Sequence, residues 1–156
     1  MLSALTSETQ TKIDRVANTI SMTRYFAAPR ERIFEAWTQP EHLACWWDPT
    51  GARLAQCEID LRPGGRFRFV NQGMHGAPAF EGVYLEIAPP ERLAFEALGS
   101  VGTVALEQAE GGARMTVTIQ CQSPERLEHF LQMGVADGTS RTLDNLVAYF
   151  ARPRRP

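Results

Sequence analysis

The side chains able to do chemistry are few and scattered. Histidines stand at positions 42, 75 and 129, and none has a partner histidine at a spacing that would clasp a metal. An imidazole can still move protons alone near neutral pH. His129 is the better candidate for that role, because it lies beside Phe130 on a helical stretch that could reach an interior mouth. Glu58 and Asp60 are two residues apart, which puts both carboxylates on one strand face. Such a pair can act as general acid and base. Arg62, Arg66 and Arg68 crowd the same face, so a solvated cross-strand charge ladder is the simpler account. Gly64-Gly65 could suggest a phosphate cradle, yet it joins two strands with no following helix or lysine and reads as a hairpin turn. No nucleophile elbow, nucleotide loop or dinucleotide glycine fingerprint occurs. These residues imply no metal, no cofactor and no committed catalytic residue.

The apolar residues say more. Trp46 and Trp47 are adjacent at the end of a short helix, and neighbours on a helix do not share a face. One of them, Trp47 in this reading, is expected to close an interior space while the other packs elsewhere. Phe67, Phe69, Leu85, Phe95, Met115 and Val117 fall on the predicted inner face of a sheet, and Phe130 and Met133 approach it from a helix. Together with Trp47 and His129 they form the expected ligand-binding set. A fully packed core is the alternative, and periodicity does not separate the two. Tyr84 shares parity with Glu86, outside, unless a bulge near Gly82 shifts it.

The elements that must position these residues follow from period. Residues 1–17 lack a clear pattern and read as a loose arm. A strand then runs to Pro29, followed by two short helices in PRERIFEAW and PEHLACWW. CEIDLR and RFRFV alternate with period two around Pro63-Gly64-Gly65, and a three-residue loop would set Asp60 opposite Arg68 and Leu61 opposite Phe67. VYLEI with RLAFE, then TVALEQ with ARMTVTIQC, make two further hairpins, for about seven antiparallel strands. In the first of these hairpins, Val83, Leu85 and Ile87 share a face and meet Leu93 and Phe95. Ser123 and Pro124 open one long C-terminal helix that ends before Pro153, with Gly134 and Gly138 loosening its middle. The tail 152–156 is basic and reads as disordered. The result is an α+β architecture: a single domain over 18–151 whose curved sheet packs on the final helix and can leave a cavity between them.

Composition narrows the partners. The chain has 156 residues, with fifteen arginines beside one lysine, Lys12, and a net charge of −2. That balance argues against nucleic acid. Most arginines have carboxylate neighbours or lie in the tail, so no anion site is expected. No stretch approaches the roughly 20 apolar residues a membrane span needs, and the first residues lack the apolar run of a secretion signal. Cys45, Cys57 and Cys121 are odd in number, with no Cys-x-x-Cys pair. They suit a reducing, cytoplasmic setting rather than a disulfide framework or zinc site. A homodimer is left open.

Four segments carry a resemblance: TISMTRYFAAPRERIFEAWTQPEHLACWW, CEIDLRPGGRFRF, EGVYLEIAPPERLAF and SPERLEHFLQMGVADGTSRTLDNLVAYF. Their order and spacing resemble the START-like (Bet v 1-like, SRPBCC) superfamily, and within it the family of the C-terminal domain of the activator of Hsp90 ATPase, including its small bacterial members. The resemblance implies a helix-grip fold with a deep, often apolar cavity and no shared catalytic residue. The leading functional reading is therefore a binding protein for a small apolar or amphipathic ligand. A chaperone-partner role follows from the family alone. A cyclase- or hydrolase-like enzyme is the third reading, with His129 and Tyr84 as its loose candidates.

Overall fold

The computed structural model describes residues 9–72 and 79–151. His75, residues 1–8 and the tail 152–156 lie outside the described residues. Eight strands form one antiparallel sheet: β1 (Gln10–Asp14), β2 (Thr19–Phe26), β3 (Gln56–Ile59), β4 (Arg66–Val70), β5 (Phe80–Ala88), β6 (Arg92–Ala97), β7 (Ser100–Ala109) and β8 (Gly112–Cys121). Their order across the sheet is β1-β2-β8-β7-β6-β5-β4-β3. Two short helices, α1 (Arg30–Thr38) and α2 (Pro40–Leu43), fall between β2 and β3, and α3 (Pro124–Gln132) and α4 (Val135–Ala151) follow β8. This is the α+β helix-grip arrangement. No helix among the described residues is long and apolar enough to cross a membrane.

The eighth strand comes from the segment expected to be a loose arm. β1 pairs with β2, with Gln10 opposite Thr23 and Asp14 opposite Thr19. The Asp14 carboxylate closes the turn by accepting the N–H groups of Val16 (2.9 Å) and Ala17 (3.0 Å). Those same bonds hold its pKa below the usual carboxylate value. β1 is nearly all exposed, so backbone pairing holds it and no apolar alternation could announce it.

β2 alternates fully, with Ile20, Met22, Arg24 and Phe26 buried. Arg24 is the exception in chemistry. Its Nη1 donates to Asp144 Oδ1 at 2.7 Å and to Thr9 Oγ1 at 3.1 Å. That charged bond pins α4 against the first half of the sheet. Phe26 meets Phe150 edge-on at 5.8 Å one helical stretch further along. His42 of α2 and the Tyr149 hydroxyl of α4 are 2.5 Å apart, so α4 is tied to α2 as well as to β2, in addition to its buried Leu143 and Leu146.

Three local expectations need correction. The β3–β4 connection spans six residues, 60–65, not three. Ile59 rather than Leu61 faces Phe67, and Glu58 rather than Asp60 faces Arg68. The reason is β5: Gly64 N–H donates to Tyr84 O (2.8 Å) and Tyr84 N–H to Gly65 O (2.9 Å), which takes the end of the turn away from β3. A shift of two residues keeps the faces, so only Leu61 is displaced, into an exposed turn position. The C-terminal helix is two helices, because Gly134 adopts φ 78° and ends α3 in the left-handed conformation that a side chain disfavours. Ser123 caps α3 as expected, accepting Arg126 N–H at 3.1 Å.

The third correction concerns β5. Tyr84 pairs with Phe95 and Glu86 with Ala94, so Leu85 is an unpaired extra residue in a bulge. Tyr84 therefore points inward and is buried, while Leu85 is 47% exposed. After the bulge the phase has changed, and Ile87 sits opposite Leu93. Val83 pairs with Glu96 and leaves the inner face.

Candidate functional site

A cavity of about 270 Å³ lies between the inner face of the sheet and the α3–α4 junction. Its floor is set by cross-strand registry. Tyr84, Phe95, Gly102 and Ile119 stand in one row across β5, β6, β7 and β8. Gly102 leaves a gap in that row, and the Phe95 ring lies across it: a Cβ added at Gly102 would be 2.7 Å from the ring. Phe80, Val117 and Ile119 complete the sheet side. Trp37 and Trp47 form one wall, and Phe130, Met133, Val135 and Leu143 supply the helical side.

The two adjacent tryptophans divide as their spacing requires. Trp46 is fully buried, its indole N–H on Ala36 O at 3.1 Å. Trp47 faces the cavity and meets Phe69 at 5.1 Å and Phe80 at 5.3 Å. Trp37 donates its N–H to Met115 Sδ at 3.2 Å. The ring of Trp37 is thereby fixed as a wall.

Polar groups in the lining are sparse. Ser100 donates its hydroxyl to Ala97 O at 2.9 Å. The Thr142 hydroxyl reaches Gly138 O (3.0 Å) and Trp47 O (3.1 Å), which links α4 to the tryptophan wall. Thr139 is the third hydroxyl in the lining. At the rim, Leu98 and Met133 are 60% and 63% exposed. Leu98 and Gly99 have φ of 54° and 73°, a turn that favours Asn-Gly. A leucine there is held in a backbone region that disfavours it, and it is not buried in return.

The expected site residues separate into two groups. Trp47, Phe95, Val117, Phe130 and Met133 line the cavity. Phe67 and Phe69 instead stack at 5.0 Å beside Tyr84 and Leu93, around a crevice of about 10 Å³. That space holds a water at most, so these rings are core. Met115 is fully buried beneath Trp37. Leu85 is turned out by the bulge. His129 lies on an exposed face of α3 with Glu125, Glu128 and Gln132. One residue from buried Phe130 means a rotation of about 100° around the helix, so His129 does not reach the cavity.

Residues that the sequence reading missed include Trp37, Phe80, Ile119 and Leu98. Ile119 continues the alternation of Met115 and Val117, so its signal was present. Phe80 shares parity with Gly82 and Tyr84 on the near side of the bulge. Leu98 gives no signal, since a leucine in a tight turn has no period.

Two titratable groups near the interior, Cys57 and Tyr84, are kept neutral. Burial pushes the Cys57 thiol up to about 11, with Arg53 opposing and Glu41 reinforcing the shift. Burial likewise raises Tyr84 well above the usual phenol range. Glu58 and Asp60 take their places in an arginine ladder: Asp60 pairs with Arg62 at 2.9 Å, and Glu58 sits opposite Arg68, which reaches Glu81 at 2.9 Å.

Gly138 also lines the cavity, and a Cβ added there would meet nothing within 4 Å. Gly138→Ala is therefore expected to raise stability by about 1 kcal/mol through helix propensity. Differential scanning calorimetry should show Tm rising by about 2–4 °C.

The model of the family described as activator of Hsp90 ATPase homolog 1-like protein matches residues 27–151. The chain belongs to this family. Solved structures agree with the activator of Hsp90 ATPase homolog 1-like assignment. A protein of Mycobacterium smegmatis is 27% identical, with a TM-score of 0.81 over 91% of this chain and 96% of its own. One from Rhodobacter sphaeroides is 25% identical, with a TM-score of 0.83 over 92% and 98%. One from Chromobacterium violaceum is 28% identical, with a TM-score of 0.69 over 83% and 95%. No curated protein matches the sequence. The activator-like family thus has the same START-like fold that positions the cavity here.

Proposed function

We propose that this protein binds a small apolar molecule between its sheet and its C-terminal helices. The observation that carries the reading is the apolar cavity of about 270 Å³ with exposed hydrophobic residues at its rim. An apolar cavity of roughly 150 Å³ accommodates benzene, so this one suits a guest of about two rings. Burying roughly 300 Å² of such a guest at about 25 cal/mol per Å² offers several kcal/mol, in the micromolar range.

Naphthalene is expected to bind the wild type and quench tryptophan fluorescence, because Trp37 and Trp47 line the cavity. Trp47→Ala should weaken that binding at least tenfold in a titration. An unchanged fluorescence spectrum, with no thermal shift across a panel of apolar compounds, would sink the reading. The family assignment supports a second reading, a chaperone partner. Hsp90 ATPase turnover with and without excess of this chain decides it.

A further inference from the structure

We infer that the cavity selects an uncharged, hydroxyl-bearing aromatic ligand and rejects its ionised analogues; this rests on the proposed cavity function. Among the described residues, no Asp, Glu, Lys, Arg or His lines the cavity. A carboxylate or ammonium entering it would lose its hydration without gaining a counter-charge, and that cost exceeds what apolar burial returns. Five of the walls are rings, Trp37, Trp47, Phe80, Phe95 and Phe130. Their faces and edges complement a flat aromatic guest better than a branched aliphatic one.

The polar atoms of the lining specify the remaining feature. The hydroxyl hydrogens of Ser100 and Thr142 are engaged by backbone carbonyls of Ala97, Gly138 and Trp47. What these two side chains offer a guest is therefore lone pairs, which accept. Two lining groups keep a donor uncommitted. The Trp47 indole N–H has no acceptor among the described residues, in contrast to those of Trp37 and Trp46. Thr139 likewise makes no side-chain hydrogen bond among the described residues, so it can donate as well as accept. A single hydroxyl on the guest matches this set, since it both donates and accepts. A carboxylate can only accept, and it brings a charge that nothing in the lining neutralises. The rim leucine at 98 and Met133 then cover the exposed edge of a ring rather than a charged tail.

The test compares naphthalene, 2-naphthol and 2-naphthoate at pH 7 by titration calorimetry, with the wild type and with Thr139→Val. Valine keeps the shape of threonine and removes only the hydroxyl. In the wild type, 2-naphthol is expected to bind at least tenfold more tightly than 2-naphthoate and several-fold more tightly than naphthalene. Thr139→Val should narrow the naphthol-to-naphthalene preference, read as the ratio of the two affinities within each protein. Equal binding of naphthol and naphthoate overturns the selection against charge. Equal binding of naphthol and naphthalene in the wild type overturns the hydroxyl match. In both of those outcomes the cavity function stands. If none of the three binds, the cavity function fails and this inference fails with it.

Discussion

Trp46→Ala is expected to lower the stability of the fold by about 3–5 kcal/mol. That is a large share of the roughly 5–15 kcal/mol that holds a domain together. Trp46 is fully buried, and its ring centroid lies 4.8 Å from that of Trp37 and 5.9 Å from that of Trp47. Its N–H satisfies Ala36 O near the end of α1. Alanine would leave a void between α1 and α2 and orphan that carbonyl. The loss would also free the Trp37 ring on the side away from the cavity. Urea unfolding followed by circular dichroism should show the lowered midpoint with an unchanged slope. Trp46→Phe should cost less, since a ring still packs against Trp37, with the hydrogen bond and one fused ring lost instead of the whole side chain. The contrast with Trp47 matters. Trp47 is partly exposed at the cavity, so its removal should cost more in binding than in folding.

Gly82→Ala is the second large effect, expected to destabilise by about 3 kcal/mol, at the upper end for overpacking. A Cβ at position 82 would lie 2.4 Å from Glu96 O and 2.4 Å from Phe67 Cζ. The ring could tilt, but the carbonyl belongs to the β5–β6 ladder and cannot move without breaking pairing. Gly102 shows the milder case. The three atoms nearest a Cβ there all belong to the Phe95 ring, the closest at 2.7 Å, so a rotation of that ring relieves the tightest contacts. The two glycines thus differ in what must yield. Thermal unfolding of Gly82→Ala and Gly102→Ala side by side should give the larger loss for position 82.

Much of the sheet was readable because half-buried strands alternate. β2, β4, β7 and β8 show it plainly, and Met115, Val117 and Ile119 kept their faces without error. β1 was not readable, since its exposed polar residues are held by backbone bonds that any sequence can make. The break between α3 and α4 rests on one backbone angle at Gly134. A glycine inside a helical pattern loosens the helix, but composition alone does not distinguish a tolerated glycine from a terminus. At the site, Trp47, Phe95 and Val117 followed from parity, and Phe130 and Met133 from helical spacing. Phe67 and Phe69 have the right face and the wrong neighbours: which inward rings border the cavity depends on where α2 and the α3–α4 junction sit. His129 was misplaced because adjacency to Phe130 is not shared orientation on a helix.

The Leu85 bulge has a meaning best put as phase. Strand β5 is read in two frames. Up to Tyr84 the even-numbered residues face the interior, and from Glu86 onward the odd-numbered ones do. Leu85 is the frameshift between them. It contributes little contact, since it is largely exposed, yet it lets a strand with one alternation serve two neighbours. Tyr84 can join the row that ends at the cavity, while Ile87 keeps its place opposite Leu93. Both halves of β5 would keep their partners if that one residue were lost. A change at a paired position such as Val83 has no such slack, because any slip there would exchange what the protein shows to its interior for what it shows to water.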